Sequence, residues 1–204
     1  MSESTEEEFS LRLISNLGCV DRGLCLEDDD WPRLNSGIKI ISETDIVVFS
    51  TLTTHPNSVL STIKRWAQDG VDLIVIDSLD SIVKNRLARS YENSILDFSL
   101  SVGFLGKDKK IPIVAGVSLG RNLEQRPNRR PVFSDIGKDQ DVISISEKVI
   151  FLFRDEVYNE DSQDKGLGEI IVSKNNNGPT GTVRARFIPQ YGQWLSFEAE
   201  QAAL

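Results

Sequence analysis

The chain has 204 residues, of which 39% are hydrophobic and 26% charged, enough for one domain at about 150 residues per domain. That composition excludes disorder, collagen-like repeats and disulfide-stapled mini-proteins. The net charge of −8 excludes a globally basic, histone-like protein but leaves room for a local nucleic-acid patch.

Charge is spread unevenly. Residues 1–30 hold nine acids against Arg12 and Arg22, and the remainder is nearly neutral. The longest apolar runs, such as Leu73 to Ile76, fall far short of the roughly 20 residues of a membrane-spanning helix. The acidic opening MSESTEEEF is the reverse of a signal peptide's basic start. The expected location is cytoplasmic, with no membrane partner. Two cysteines, Cys19 and Cys25, and one histidine, His55, are too few for a zinc site or a thiol nucleophile with a positioned base. Serine catalysis of the GxSxG type has no motif here.

In chain order, Ser4 with Glu7 forms a capping box ahead of Phe9, Leu11, Leu13, Ile14 and Leu17, which predicts a first helix ending at Gly18. A polar stretch through Asp28 to Trp31-Pro32 follows, then a short strand over Asp45 to Phe49 and a turn at Thr54 to Asn57. Ser58 to Gln68 reads as a helix stopped by Gly70. Val71 to Ile76 is an apolar run of the kind buried on both faces of a parallel sheet. A helix over about Asn85 to Phe104 and a second buried strand over Ile111 to Val117 complete a strand, helix, strand alternation.

From Leu119 to Asp141 the pattern breaks: four arginines, two prolines and no periodicity predict a long functional loop. Strands are then expected at Val149 to Phe153, Glu169 to Ser173, Gly181 to Phe187 and Trp194 to Phe197. The intervening NNNGPTG and PQYGQ read as hairpin turns. The fold class is therefore α/β, a mostly parallel twisted sheet flanked by helices with antiparallel hairpin strands at its C-terminal end. No repeat or interdomain linker interrupts it, so residues 1–204 are read as one domain.

The segment VDLIVIDSLDSI places Asp77 where a parallel strand ends, and ligands of open α/β sheets bind outside those carboxyl ends. An aspartate there suits Mg²⁺ and matches the Walker B position of P-loop nucleoside triphosphatases; it equally suits capping of the next helix.

The second half carries a more specific likeness. IPIVAGVSLGRNLEQRPNRRPVFSDI, FLFRDEVYNEDSQDKGLGEIIVSKNNNGPTGTVRARF and GQWLSF, with RLISNLGCVD and DDDWPRL earlier, resemble the RecA-like motor domain of DnaB-type replicative DNA helicases over nearly the whole chain. The resemblance implies a hexameric ring in which ATP and Mg²⁺, bound between neighbours, drive loops that pull single-stranded DNA through the centre. It gives Asp77 the Walker B role as metal and nucleotide ligand. Glu3 falls where the family carries the glutamate that activates water; a solvated glutamate in a helix's first turn is the alternative. Lys174 takes the role of the lysine that reaches into a neighbour's ATP. Arg121, Arg126, Arg129 and Arg130 fall in the loop that faces the channel, where the balance from Arg121 to Lys138 is five basic against Glu124 and Asp135. Such a loop has to be locally positive to track phosphates, although each arginine could instead pair with an acid across a subunit interface. Phe133 is the one stacking candidate.

The departures are as specific as the matches. No GxxxxGK[ST] occurs, and the Gly106-Lys107 and Gly137-Lys138 pairs are each followed by aspartate, which would repel phosphate. The sequence starts about where the family's P-loop strand and helix have ended, so the first βα unit is expected to be absent. Ser118 replaces the family's sensor glutamine, ISISE replaces its SIEQD-like segment, and Asn176 stands where the family's K-x-R pattern places the arginine finger. The expectation is a truncated, degenerate helicase domain that cannot hydrolyse ATP alone, with a residual role toward a helicase ring, a loader or single-stranded DNA. Two alternatives remain: the C-terminal part of an active helicase whose P-loop half is encoded separately, and a protein-interaction module that never touches nucleotide.

Overall fold

A computed structural model describes residues 6–21, 27–50, 54–83, 95–139 and 141–197. Two compact units emerge, one built from residues 1–49, 150–173 and 179–204, the other from residues 50–149 and 174–178.

The second unit is the α/β part. Helix α3 (Pro56–Asp69) begins with His55 as its cap, whose Nδ1 accepts from the Asn57 N–H at 3.2 Å, and with Pro56 in the first turn, where a missing N–H costs nothing. It ends on Gly70, whose φ of 88° is the left-handed conformation glycine adopts freely. Val59, Ile63 and Ala67, spaced four apart, are its buried stripe. Strands β1 (Ile74–Ile76) and β2 (Ile113–Ala115) pair in parallel, Val75 opposite Val114. Short helix α4 (Leu79–Val83) follows β1, and α5 (Ile95–Lys109) precedes β2. Ile74 and Ile76 join Val59, Ile63, Leu79, Ile82, Ile95, Phe98 and Val102 in one apolar core. Helix α6 (Asp141–Ile145) belongs to the same unit.

The first unit pairs two helices with a sheet. Helices α1 (Glu6–Gly18) and α2 (Asp30–Ser42) cross at glycines: a Cβ on Gly18 would lie 2.7 Å from the Arg33 carbonyl oxygen, and one on Gly37 2.9 Å from that of Ile14. Only hydrogen at these positions lets the backbones approach so closely. We predict that Gly37→Ala costs about 1–3 kcal/mol through overpacking, read as a lower denaturant midpoint. Asn16 anchors α1 by donating to the carbonyls of Tyr191 and Gly192 at 3.3 and 3.1 Å, and the Gln193 amide donates back to the Asn16 carbonyl.

The sheet runs in the order β3 (Lys148–Phe153), β4 (Leu167–Asn175), β5 (Gly181–Ile188), β6 (Gln193–Ser196). β4–β5 and β5–β6 are antiparallel, with Ile170 opposite Val183 and Phe187 opposite Trp194. The Trp194 ring fills the space where a Gly168 side chain would stand, and the Arg154 guanidinium lies 4.0 Å over the Phe187 ring.

Three expectations change. Asp45 to Phe49 is not a strand: Ile46 to Phe49 are all exposed and, among the described residues, they belong to neither sheet, and strand-like composition forms a strand only where a ladder is available. The polar stretch at Asp28 to Pro32 instead opens α2; Pro32 lies in the first turn, where the N–H groups have no helical partner to lose. The loop after Leu119 is folded into two 3-10 helices, Arg121–Gln125 and Phe133–Asp139. Ser4, Cys25 and the first half of the helix expected from Asn85 lie outside the described residues.

Candidate functional site

The apolar run through Ile76 makes β1, and Asp77 is the residue directly beyond it, exposed at the carboxyl end of the parallel pair. A Cβ on Gly116, just past β2, would be 3.2 Å from Asp77 Oδ1, so the glycine allows the carboxylate to lie against the neighbouring strand end. Four backbone N–H groups around it are engaged. The Gly116 N–H donates to the Ile76 carbonyl at 2.8 Å and the Leu79 N–H to the Gly116 carbonyl at 3.0 Å. The Ser118 N–H donates to Asp80 Oδ2 at 2.7 Å, and the Ser78 N–H to Ser81 Oγ at 3.1 Å.

That arrangement decides the fit to Mg-ATP. A triphosphate cradle needs several convergent N–H groups left without internal partners, together with a lysine. Here four N–H groups at the strand ends already have acceptors within the protein, and among the described residues no three His, Cys, Asp or Glu side chains converge on a metal position. Of the two carboxylates at these strand ends, that of Asp80 already accepts from the Ser118 N–H. The residues present do not by themselves fit the nucleotide that the sequence likeness implies.

Lys174, near the end of β4, turns inward: its Nζ donates to the carbonyls of Ile143 at 2.7 Å and Ser144 at 3.2 Å. These are α6 carbonyls with no later helical N–H to accept, so the ammonium caps that helix end and meets the negative pole of its dipole. Asn176 is exposed two residues later, its N–H bound to the Glu147 carbonyl at 3.0 Å. Glu3 lies outside the described residues. Asp77 and Lys174 are therefore described in different local settings, the first beyond a strand end and the second at a helix end.

The basic stretch is organised around an acid. Asp135 is 5% exposed, and its Oδ2 accepts from Arg126 Nη2 at 2.9 Å and from the Val132 N–H at 2.8 Å. Its carbonyl accepts from the Gly120 N–H at 2.6 Å, and Arg126 Nη2 also donates to the Arg130 carbonyl at 3.0 Å. Arg126 thus makes an intraloop ion pair. Arg129 Nε donates to the Glu124 carbonyl at 3.3 Å, the Arg130 N–H is bound by Asn128 Oδ1 at 2.9 Å, and Arg121 is exposed at the start of its 3-10 helix. Sequence reading counted Asp135 only as an acid offsetting the arginines and gave Asp80 no role. The signal for Asp135 was a single acid shortly after two X-Pro breaks in an arginine-rich run, where a bend needs something to hold it.

Comparison with known proteins agrees with this architecture. The family model described as DnaB-like helicase C terminal domain matches residues 1–196. Among similar proteins, the replicative DNA helicase DnaB of Buchnera aphidicola subsp. Acyrthosiphon pisum is 32% identical over 203 residues, covering 96% of this chain and 44% of that protein. The Geobacillus stearothermophilus replicative DNA helicase DnaB is 32% identical over 202 residues, with the same shares. The chain thus spans less than half the length of these curated relatives. Among solved structures, one described as an ATPase domain superposes with a TM-score of 0.83 at 26% identity, covering 96% of this chain and 72% of that one. A DnaB-like replicative helicase, described with its interactions with primase, gives a TM-score of 0.85 at 26% identity, covering 96% and 49%. No helix among the described residues is long and apolar enough to cross a membrane. The chain belongs to the DnaB-like helicase C-terminal domain family, and its fold is that of the RecA-like helicase ATPase domains.

Proposed function

We propose that these 204 residues act as one helicase-type domain that keeps the scaffold for single-stranded DNA and for helicase or loader partners but does not turn over ATP on its own. The observation that carries this reading is that the 204 residues hold no GxxxxGK[ST] to cradle phosphates, while at the ends of β1 and β2 the N–H groups of Ser78, Leu79, Gly116 and Ser118 all donate internally beside Asp77. Two further facts support it. Lys174 is held by α6 carbonyls, and Asn176 offers a neutral amide where transition-state charge would need a guanidinium.

DNA contact is assigned to Arg121, Arg129 and Arg130, carried on a folded basic stretch. Phosphate neutralisation dominates such binding and makes it salt-sensitive. Reversing the charge of Arg129 and Arg130 together is expected to weaken binding of an oligo-dT strand and to reduce the slope of log affinity against log salt by about one unit per lost phosphate contact. Fluorescence anisotropy across a salt series measures both. Wild-type binding that does not respond to salt would remove the loop from the account.

A second reading, completion by a separately encoded P-loop chain, is favoured by one observation. Leu73, Val75 and Val114 are more than half exposed on the outer face of the β1–β2 pair, although parallel sheets are ordinarily covered on both faces. ATPase activity that appears only on mixing with such a chain would support it.

A further inference from the structure

We propose that Arg126 and Asp135 form a clasp that shapes the basic stretch, so that Arg126 serves DNA binding as a positioning residue and not as a phosphate contact. The inference rests on the single-stranded DNA reading for its function, though not for its geometry.

Asp135 gathers three points of the chain onto one residue. Its carboxylate holds the Arg126 guanidinium and the Val132 N–H, and its carbonyl holds the Gly120 N–H. The stretch from Gly120 to Asp135 is thereby closed into a loop that contains Arg121, Arg129 and Arg130. The burial of the two partners is unequal: the Asp135 side chain is 5% exposed and that of Arg126 35%. A carboxylate so enclosed needs a cationic partner, and Arg126 Nη2 is the ion-pair donor that reaches it. Arg126 also donates to the Arg130 carbonyl, which fixes the backbone at the arginine pair. Both bonds leave from Nη2, which turns that edge of the guanidinium inward onto the buried carboxylate and the Arg130 carbonyl.

The clasp makes a prediction that a phosphate-contact role does not. Removing Arg126 alone leaves Asp135 buried and charged without its partner, whereas neutralising both members removes that penalty. Asn at position 135 can still accept from the Val132 N–H, and as a neutral amide it needs no cationic partner when buried. Arg126→Gln should therefore open the loop, and adding Asp135→Asn should close it again.

The experiment uses the full chain with an oligo-dT strand. Anisotropy across a salt series reads affinity and slope. Trypsin nicking after Arg121 and Arg129, located by mass spectrometry, reads loop closure without DNA; the Arg126-Pro127 and Arg130-Pro131 bonds resist trypsin, so the substitution removes no cleavage site. For R126Q we expect about tenfold weaker binding and faster nicking, and for R126Q/D135N a return of both to within about threefold of wild type, with the wild-type salt slope. Persistent fast nicking in R126Q/D135N would overturn the clasp. Restored protection with weak binding and a slope lower by about one would instead make Arg126 a phosphate contact and overturn its positioning role. If the wild-type chain fails to bind DNA, the DNA reading falls, while the nicking comparison still decides the clasp.

Discussion

Replacing Phe98 with alanine is expected to destabilise the α/β unit by about 3–5 kcal/mol, the range for deleting a fully buried aromatic side chain. Phe98 is 0% exposed and belongs to the cluster that joins α3, β1, α4 and α5. Ile74 and Ile76 reach this cluster from a strand of only three residues, and β1 has a single neighbour, β2, among the described residues. So short a parallel pair gains little from its own ladder, and packing on α5 has to hold it in place. Much of a typical domain's stability of about 5–15 kcal/mol would go. Urea unfolding followed by circular dichroism measures the loss. A change below about 1 kcal/mol would mean that the β1–β2 pair does not depend on this core.

The second large effect is an absence of gain. Asn176→Arg is expected to leave ATP turnover at background, with or without single-stranded DNA, although such a finger is worth about 10³–10⁵ in rate where the rest of the machinery is present. A finger stabilises charge on a nucleotide that something else must hold; these residues include no GxxxxGK[ST], and four N–H groups at the strand ends beside Asp77 are committed internally. Coupled detection of released phosphate checks the purified variant. Turnover well above background would show that the lost cation alone had silenced the site.

How much of this was legible in the sequence depends on how local the cause is. Most of helix α3 could be read because its signals are local, Gly70 at the stop and a four-residue apolar spacing before it; its start at Pro56 falls two residues before the expected Ser58 because His55-Pro56 has the composition of a turn. The strand ending at Asp77 was legible for the same reason, as were the antiparallel strands around NNNGPTG and PQYGQ. Helix α2 was hidden by Pro32 and Gly37, which argue against a helix unless one knows that the first falls in the opening turn and the second at a crossing with α1. Asp45 to Phe49 was misread because its composition suits a strand, while pairing depends on a neighbour that local sequence does not specify.

The family likeness and the residues at the motif positions were readable too, but their engagements were not. Nothing near Lys174 in sequence says that its ammonium caps a helix some thirty residues upstream. Likewise the five basic residues between Arg121 and Lys138 look equivalent on paper, yet a buried Asp135 takes Arg126 for itself. Ion pairs and caps of this kind arise from tertiary packing, and a charge count cannot distribute them.

The central claim is that the carboxyl ends of β1 and β2 offer no phosphate cradle. Isothermal titration of the purified 204-residue chain with Mg-ATP and with a non-hydrolysable analogue tests it most directly. The expected result is no saturable heat up to about millimolar nucleotide, the range in which association is worth only about 4 kcal/mol. Saturable micromolar binding that disappears in Asp77→Asn would place the nucleotide at that site and contradict the account.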